Sequence, residues 1–191
     1  MAKLVLFGIM ALAAVAPPLS GATIFFSAPV SASGPFDVLV EAQNLFAGRD
    51  TSTDMIISYG FNVSVTNPSI LSFLGATSGP LFDPAGTAPG TAVFAAASGF
   101  GVAPGAAEPL ILAALHFKPA GSGPVNIVIS SNLSNLFQGL QFVNAPFQES
   151  IAGTVPVTVT AVPEPSTLLL IGLGGVAWMR RATRAPRYRA K

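Results

Sequence analysis

Residues 56–66 read Ile-Ile-Ser-Tyr-Gly-Phe-Asn-Val-Ser-Val-Thr, and this stretch decides the fold class. Apolar side chains stand at every second position from Ile57 to Val65, with small or polar residues between them. A period of two is typical of an antiparallel strand that has one face in a hydrophobic core. The stretch therefore predicts a half-buried β-strand.

The same pattern continues on both sides of this strand. Residues 36–42 alternate in a similar way, and turn-forming pairs such as Asn67-Pro68 separate the apolar stretches. Further strands are predicted at 70–76, 91–97, 110–117, 125–131 and 154–160. Many short strands at this spacing predict an all-β domain over residues 23–160, arranged as a jelly-roll β-sandwich. The only apolar helices are predicted at the two ends of the chain.

The N-terminus has the parts of a signal peptide. A lysine precedes the apolar residues 4–15, and two prolines then break the helix. Ser20 and Ala22 are small, as a signal peptidase requires, so we expect residues 1–22 to be removed by cleavage before Thr23. The alternative, a retained membrane helix, needs a longer apolar run. The chain is therefore predicted to be exported.

The C-terminal residues 161–191 combine a rigid polar motif, an uncharged apolar stretch and a basic tail. The tail begins with Arg180 and Arg181 and contains no acidic residue. This charge predicts that translocation across the membrane stops here and that the C-terminus stays in the cytoplasm. The apolar residues 168–179 fall short of the roughly 17–25 residues of a membrane span, so they span only with snorkelling flanks or a thinned bilayer. The polar motif consists of Val162, Pro163, Glu164, Pro165 and Ser166.

This three-part arrangement resembles the PEP-CTERM sorting signal of Gram-negative bacteria that make exopolysaccharide. The resemblance implies an exosortase-type membrane transpeptidase as a partner, cutting near the Pro-Glu-Pro motif. It also implies export through the inner membrane and anchoring there at first, followed by transfer to the cell surface or the extracellular matrix. The alternative is an ordinary tail anchor after a proline-rich linker.

Charge and cysteine content limit the functions of the exported body. Between Thr23 and Val162 there are two basic and seven acidic residues, a net charge of −5. This balance argues against nucleic acid or anionic lipid as a partner. The absence of cysteine excludes disulfides and thiolate chemistry.

Residues 59–73 and 110–118 resemble strand pairs of cohesin-like domains, in which an amphipathic strand runs through a proline-containing turn into a small apolar strand. The resemblance implies a nine-stranded jelly-roll sandwich over most of residues 23–160. Cohesins bind dockerin modules, and the wider superfamily includes carbohydrate-binding modules. The chain itself contains no dockerin-like duplicated calcium loop.

Catalytic side chains are scarce, which predicts a protein that is not an enzyme. His116 is the only histidine, and alternation places it on the same polar face as Lys118. No Gly-x-Ser-x-Gly motif occurs, and the scattered acids suggest no pair suited to glycoside hydrolysis.

The loop of residues 50–54 is a candidate calcium site. No other cofactor is predicted. Asp50, Ser52 and Asp54 place oxygen atoms at alternate positions, as calcium loops do. Met55 stands where such loops have glycine, and Phe61 where they have a bidentate glutamate. The alternative is a polar loop whose aspartates hydrogen-bond to the backbone.

A second candidate site lies in the Gly/Ala/Pro-rich residues 75–109. Phe82, Phe94 and Phe100 stand among small residues there, where long loops can present aromatic rings to a glycan or a protein. The alternative places these rings in the core. The sequence thus predicts an exported module that binds exopolysaccharide or a surface protein. The other hypotheses are a purely structural component of the exopolysaccharide matrix and, least favoured, a polysaccharide-processing enzyme.

Overall fold

The computed structural model describes residues 21–83, 86–87, 92–144 and 148–160, and this part of the chain forms strands and no helix. Most of the predicted signal peptide and the whole of the sorting segment 161–191 lie outside the described residues. Within these ranges no helix is long and apolar enough to cross a membrane. The predicted all-β body is confirmed.

The described residues form twelve strands, three of which have only two residues. The sequence pattern missed the strands before residue 33, the strand at 86–87 and both strands between residues 138 and 150, all of which have five residues or fewer. The strands are β1 (Thr23–Ser27), β2 (Ser31–Ala32), β3 (Phe36–Gln43), β4 (Ile56–Val65), β5 (Leu71–Ser78), β6 (Gly86–Thr87), β7 (Ala92–Ala96), β8 (Leu110–Pro119), β9 (Gly123–Ser130), β10 (Gly139–Phe142), β11 (Gln148–Glu149) and β12 (Gly153–Val159).

The strands form two sheets that share one hydrophobic core. The smaller sheet has the order β1-β3-β8-β5, and the larger has the order β11-β10-β4-β9-β12-β2, with β7 paired to β4 and β6 to β7. All of these pairs are antiparallel except β2 with β12. Fully buried side chains from both sheets fill the core, among them Tyr59, Phe61, Leu115, Phe117 and Ile127.

Strand β4 is the central strand of the larger sheet, as the alternation of residues 56–66 predicts. Tyr59, Phe61 and Val63 are completely buried on its inner face. Ser58 and Gly60, on its outer face, are buried as well. Something therefore covers the outer face of β4, which the alternation alone did not predict.

The cover is an eight-residue segment between β9 and β10, here called the excursion (residues 131–138). Asn62 pairs with β7 on one edge of β4 and with Ser130 of β9 on the other. Gly60 pairs with β7 on the first edge and with Gly139 of β10 on the second. β9 and β10 thus lie along the same edge of β4. The excursion replaces the single residue that would have continued the ladder opposite Phe61.

The hydroxyl of Tyr59 is buried in the core without a hydrogen bond from any described residue. Burial raises the pKa of Tyr59, and the nearby Ser78 hydroxyl is not placed to form a hydrogen bond with it. Ser78 donates its own hydrogen bond to the carbonyl oxygen of Asp83 at 2.6 Å. An unpartnered buried hydroxyl lowers stability. We expect Tyr59→Phe to raise the free energy of unfolding in urea by about 1 kcal/mol, and a fall would contradict this account.

Candidate functional site

The predicted aromatic surface is wrong for Phe82. Its side chain is only 6% exposed and belongs to the core. Its ring meets that of Tyr59 edge to face, with ring centroids 4.8 Å apart. The backbone bridge between Phe82 and Ala97 brings this segment to the strand that continues from β7. Phe82 therefore contributes to stability and not to a binding surface.

Phe94 and Phe100 lie at different places on the larger sheet. Phe94 is half-buried and pairs with Gly60 of β4. Phe100 is 97% exposed and precedes Gly101, whose neighbour is Met55. Met55 directly precedes β4 and is five positions from Gly60, roughly 16 Å in an extended chain. The two rings do not form one surface.

Phe94 instead contacts the excursion. Its ring meets that of Phe137 edge to face, with centroids 5.7 Å apart. Leu136 and Phe137 are 69% and 66% exposed, and Leu133 is exposed too. We call Leu133, Leu136, Phe137 and Phe94 the excursion surface. Three of its four side chains are among the exposed large apolar side chains of the described residues, and these three lie within five consecutive positions.

Hydrogen bonds of polar side chains hold the excursion in one conformation. The Asn132 and Asn135 side-chain oxygens accept from the amides of Ser134 and Phe137, each at 3.0 Å. The Gln138 side-chain oxygen accepts from the Asn132 amide at 2.6 Å and from the Asn62 side chain of β4 at 3.1 Å. Local bonds of this kind define asparagine turns. The apolar side chains are consequently left to point outward.

The excursion rests directly on β4. The carbonyl oxygen of Phe137 lies over Gly60, where a β-carbon would collide with it. The Ser58 hydroxyl donates to the side chain of Gln141 at 2.6 Å, and that side chain in turn donates to the carbonyl oxygen of Leu136. Gly60 is therefore required by this close approach.

The sequence contains a signal for this surface that strand alternation does not capture. Residues 119–148 contain no charged residue, although they include an exposed eight-residue turn region. The two asparagines, three positions apart, are typical of consecutive turns. Asn132-Leu133-Ser134 is more simply explained by a turn than by a glycosylation sequence.

His116 lies on an outer sheet face, as predicted, but it is not isolated there. Its Nδ1 lies 2.7 Å from a carboxylate oxygen of Asp37, and its Nε2 lies 3.2 Å from the hydroxyl oxygen of Thr77. The three side chains belong to the neighbouring strands β3, β8 and β5. All three are partly or largely exposed on the outside of the sheet, where they form a cross-strand link.

The candidate calcium loop uses its carboxylates in other ways. Hydrogen bonds from the Ser52 hydroxyl, the Ser52 amide and the Thr53 hydroxyl lower the pKa of Asp50. Asp54 binds Arg49 and accepts from the amides of Met55 and Asn144. In the described part of the chain no three acidic or histidine side chains are grouped as a metal site would need. These bonds favour the polar-loop interpretation.

Arg49 joins two distant carboxylates, a grouping that the sequence did not reveal. Its guanidinium binds Asp54 at 2.9 Å and Glu149 at 2.6 Å. It also lies 3.5 Å above the ring centroid of Phe142. The side chains of Arg49, Asp54 and Glu149 are 5%, 1% and 17% exposed. This network connects the 44–55 loop with β10 and β11.

Residues 161–185 match the model of the PEP-CTERM protein-sorting motif. The predicted motif residues 162–166 and the two arginines after the apolar stretch fall inside this match, outside the described residues. A motif of this kind marks export and membrane anchoring before sorting to the cell surface, with processing by an exosortase. No curated protein matches the sequence.

A solved cohesin module shares the fold of the body. The cohesin module of a family 33 glycoside hydrolase from Clostridium perfringens has a TM-score of 0.52 at 12% identity, covering 74% of this chain and 97% of the module. A non-cellulosomal cohesin from Archaeoglobus fulgidus has a TM-score of 0.45 at 15% identity, covering 78% and 97%. At these identities the similarity shows the fold alone. The chain is thus a PEP-CTERM protein with a cohesin-like domain.

Proposed function

We propose that the cohesin-like domain is a recognition module, displayed outside the cell, that binds an uncharged apolar patch of a protein partner through the excursion surface. The observation that carries this proposal is the exposure of Leu136 and Phe137 on a segment that closes no gap in the sheet. Contiguous exposed apolar side chains in a small domain favour a protein contact. Function is also concentrated in loops held by a rigid scaffold.

The shape and chemistry of the surface support a protein partner over a polysaccharide. Leu136 precedes the exposed ring in the sequence and Leu133 is exposed on the same segment. A leucine side chain cannot stack on a sugar ring as a flat aromatic side chain does. The absence of charge from residues 119–148 suits an apolar partner surface. The hydrogen bonds within the excursion also lower the entropy lost on binding, since the segment is already ordered.

The proposal is tested with the exported protein and intact cells of the source bacterium that lack its gene. We expect saturable binding that disappears when the cells are treated with protease. Phe137→Ala should weaken it by about 2 kcal/mol, roughly thirtyfold, as loss of a central aromatic contact does. Phe100→Ala removes an even more exposed ring elsewhere, at 97% against 66%, and should leave binding unchanged.

Other outcomes would support the competing hypotheses. Binding that survives protease and is lost when the polysaccharide is stripped would indicate a glycan ligand. Absence of saturable binding would favour a structural matrix component. Equal losses of binding for Phe137→Ala and Phe100→Ala would contradict the assignment of the binding site to the excursion surface.

A deletion separates the excursion from the fold. Replacing residues 131–138 with one serine leaves a single residue opposite Phe61, so β9 and β10 become one continuous strand along β4. We expect this variant to unfold cooperatively in urea, like the parent, and to have lost binding to the cells. A variant that does not fold would show that the excursion is part of the structural core.

A further inference from the structure

The backbone amide of Ala22 lies against a carboxylate from the far end of the domain. Its nitrogen donates to Glu149 Oε2 at 2.6 Å. The preceding residue abuts the same group, because a methyl group at Gly21 would lie 3.1 Å from that oxygen. The chain enters β1 at the next residue, Thr23.

The group that receives this amide has an excess of negative charge. Glu149 and Asp54 are two carboxylates bound to one guanidinium, that of Arg49, and all three are largely buried. A buried charge is costly unless an opposite charge offsets it. A peptide N–H contributes only a dipole at Glu149, whereas an ammonium at the same position would contribute a full positive charge.

We infer that the chain is cut between Gly21 and Ala22, and that the new α-ammonium of Ala22 binds Glu149. Water adds across this peptide bond under a leader peptidase, which leaves a carboxylate on Gly21 and an ammonium on Ala22. Gly21 supplies the small residue directly before the cut, while the third position before it holds Leu19, which is larger than the usual pattern of small residues. The four charges then alternate in sign from Ala22 through Glu149 and Arg49 to Asp54.

This site is one residue before the cleavage that the sequence pattern predicts. Ser20 and Ala22 favour a chain that begins at Thr23. Thr23 is already paired with Gln43 of β3. A chain that began there would lack the nitrogen atom that meets Glu149, and the excess negative charge would remain.

The cut is tested on the full chain after export from a host with a leader peptidase. Intact mass and N-terminal sequencing are expected to show Ala22 as the first residue. A mature chain that begins at Thr23, lighter by one alanine, would overturn the inference.

The ammonium–carboxylate contact has its own readout, the titration of the α-amine followed by NMR. An ordinary α-amine has a pKa of about 7.7–8.0, and a carboxylate partner raises it. The groups facing it are Glu149 and, behind that, Arg49 and Asp54. We expect titration above this range in the exported protein and a return to it in Glu149→Gln. Glu108→Gln, which removes a carboxylate bound to the amides of Asn44 and Leu45, is the matched control.

The stability that this contact adds should depend on pH. It is fully present below the pKa of the α-amine in the unfolded chain and is lost as the pH rises through the higher value of the folded chain. If Glu149→Gln does not fold, the titration of the unaltered protein decides alone. An α-amine of Ala22 that titrates in the ordinary range would refute the contact.

Discussion

Arg49→Ala is expected to lower the free energy of unfolding by about 3–5 kcal/mol, because it leaves buried carboxylates without their counter-charge. Asp54 is 1% exposed and cannot regain solvent in place of the guanidinium. The substitution also removes the cation from the face of the Phe142 ring. Urea denaturation monitored by circular dichroism measures the loss.

The control is Lys118→Ala, which removes the other basic residue of the body from an exposed position. A surface change of this kind is expected to stay within about 0.5 kcal/mol. Adding Asp54→Asn to Arg49→Ala should recover part of the loss, since the orphaned charge disappears while the side-chain oxygen still accepts from Met55 and Asn144. If Arg49→Ala and Lys118→Ala lower the free energy of unfolding equally, the network contributes little to stability.

Phe82→Ala is expected to destabilise the domain by about 3–5 kcal/mol, the range for a buried phenylalanine. The truncation opens a cavity beside the Tyr59 ring, which Phe82 contacts edge to face. Phe100→Ala, at 97% exposure, should change stability by no more than about 0.5 kcal/mol. Thermal and urea unfolding of the two variants provide the comparison.

Equal losses of stability in Phe82→Ala and Phe100→Ala would contradict the assignment of Phe82 to the core. A strong loss of cell binding in a well-folded Phe82→Ala protein would do so as well, because it would return this ring to a recognition surface.

The fold was predictable because alternation is a local property. Residues 56–66 announce a half-buried strand by themselves, and β3, β8, β9 and β12 follow the same rule within one or two residues of the predicted limits. Phe82 lacks such a pattern. Its burial depends on Ala97 and Tyr59, which are distant in the sequence.

The side-chain groupings on the surface depend on the register of paired strands, which cannot be predicted from the alternation of residues along one strand. Alternation places Asp37 and His116 on outer faces, yet only the alignment of β3 with β8 sets them opposite each other. The excursion surface arises in the same way. Phe137 reaches Phe94 because β10 rejoins β4 at Gly60, the residue that β7 meets from the other edge.

The pairing of β12 with β9 also determines which end of the domain is joined to the sorting segment. Val159, just before the sorting segment, lies opposite Gly123, whereas the excursion begins after Ser130, at the other end of β9. The seven residue steps from Gly123 to Ser130 separate these ends by about 23 Å. The excursion surface and the point at which the chain leaves the domain therefore lie toward opposite ends of β9. A partner bound at Leu136 and Phe137 would thus be clear of the residue from which the sorting segment extends.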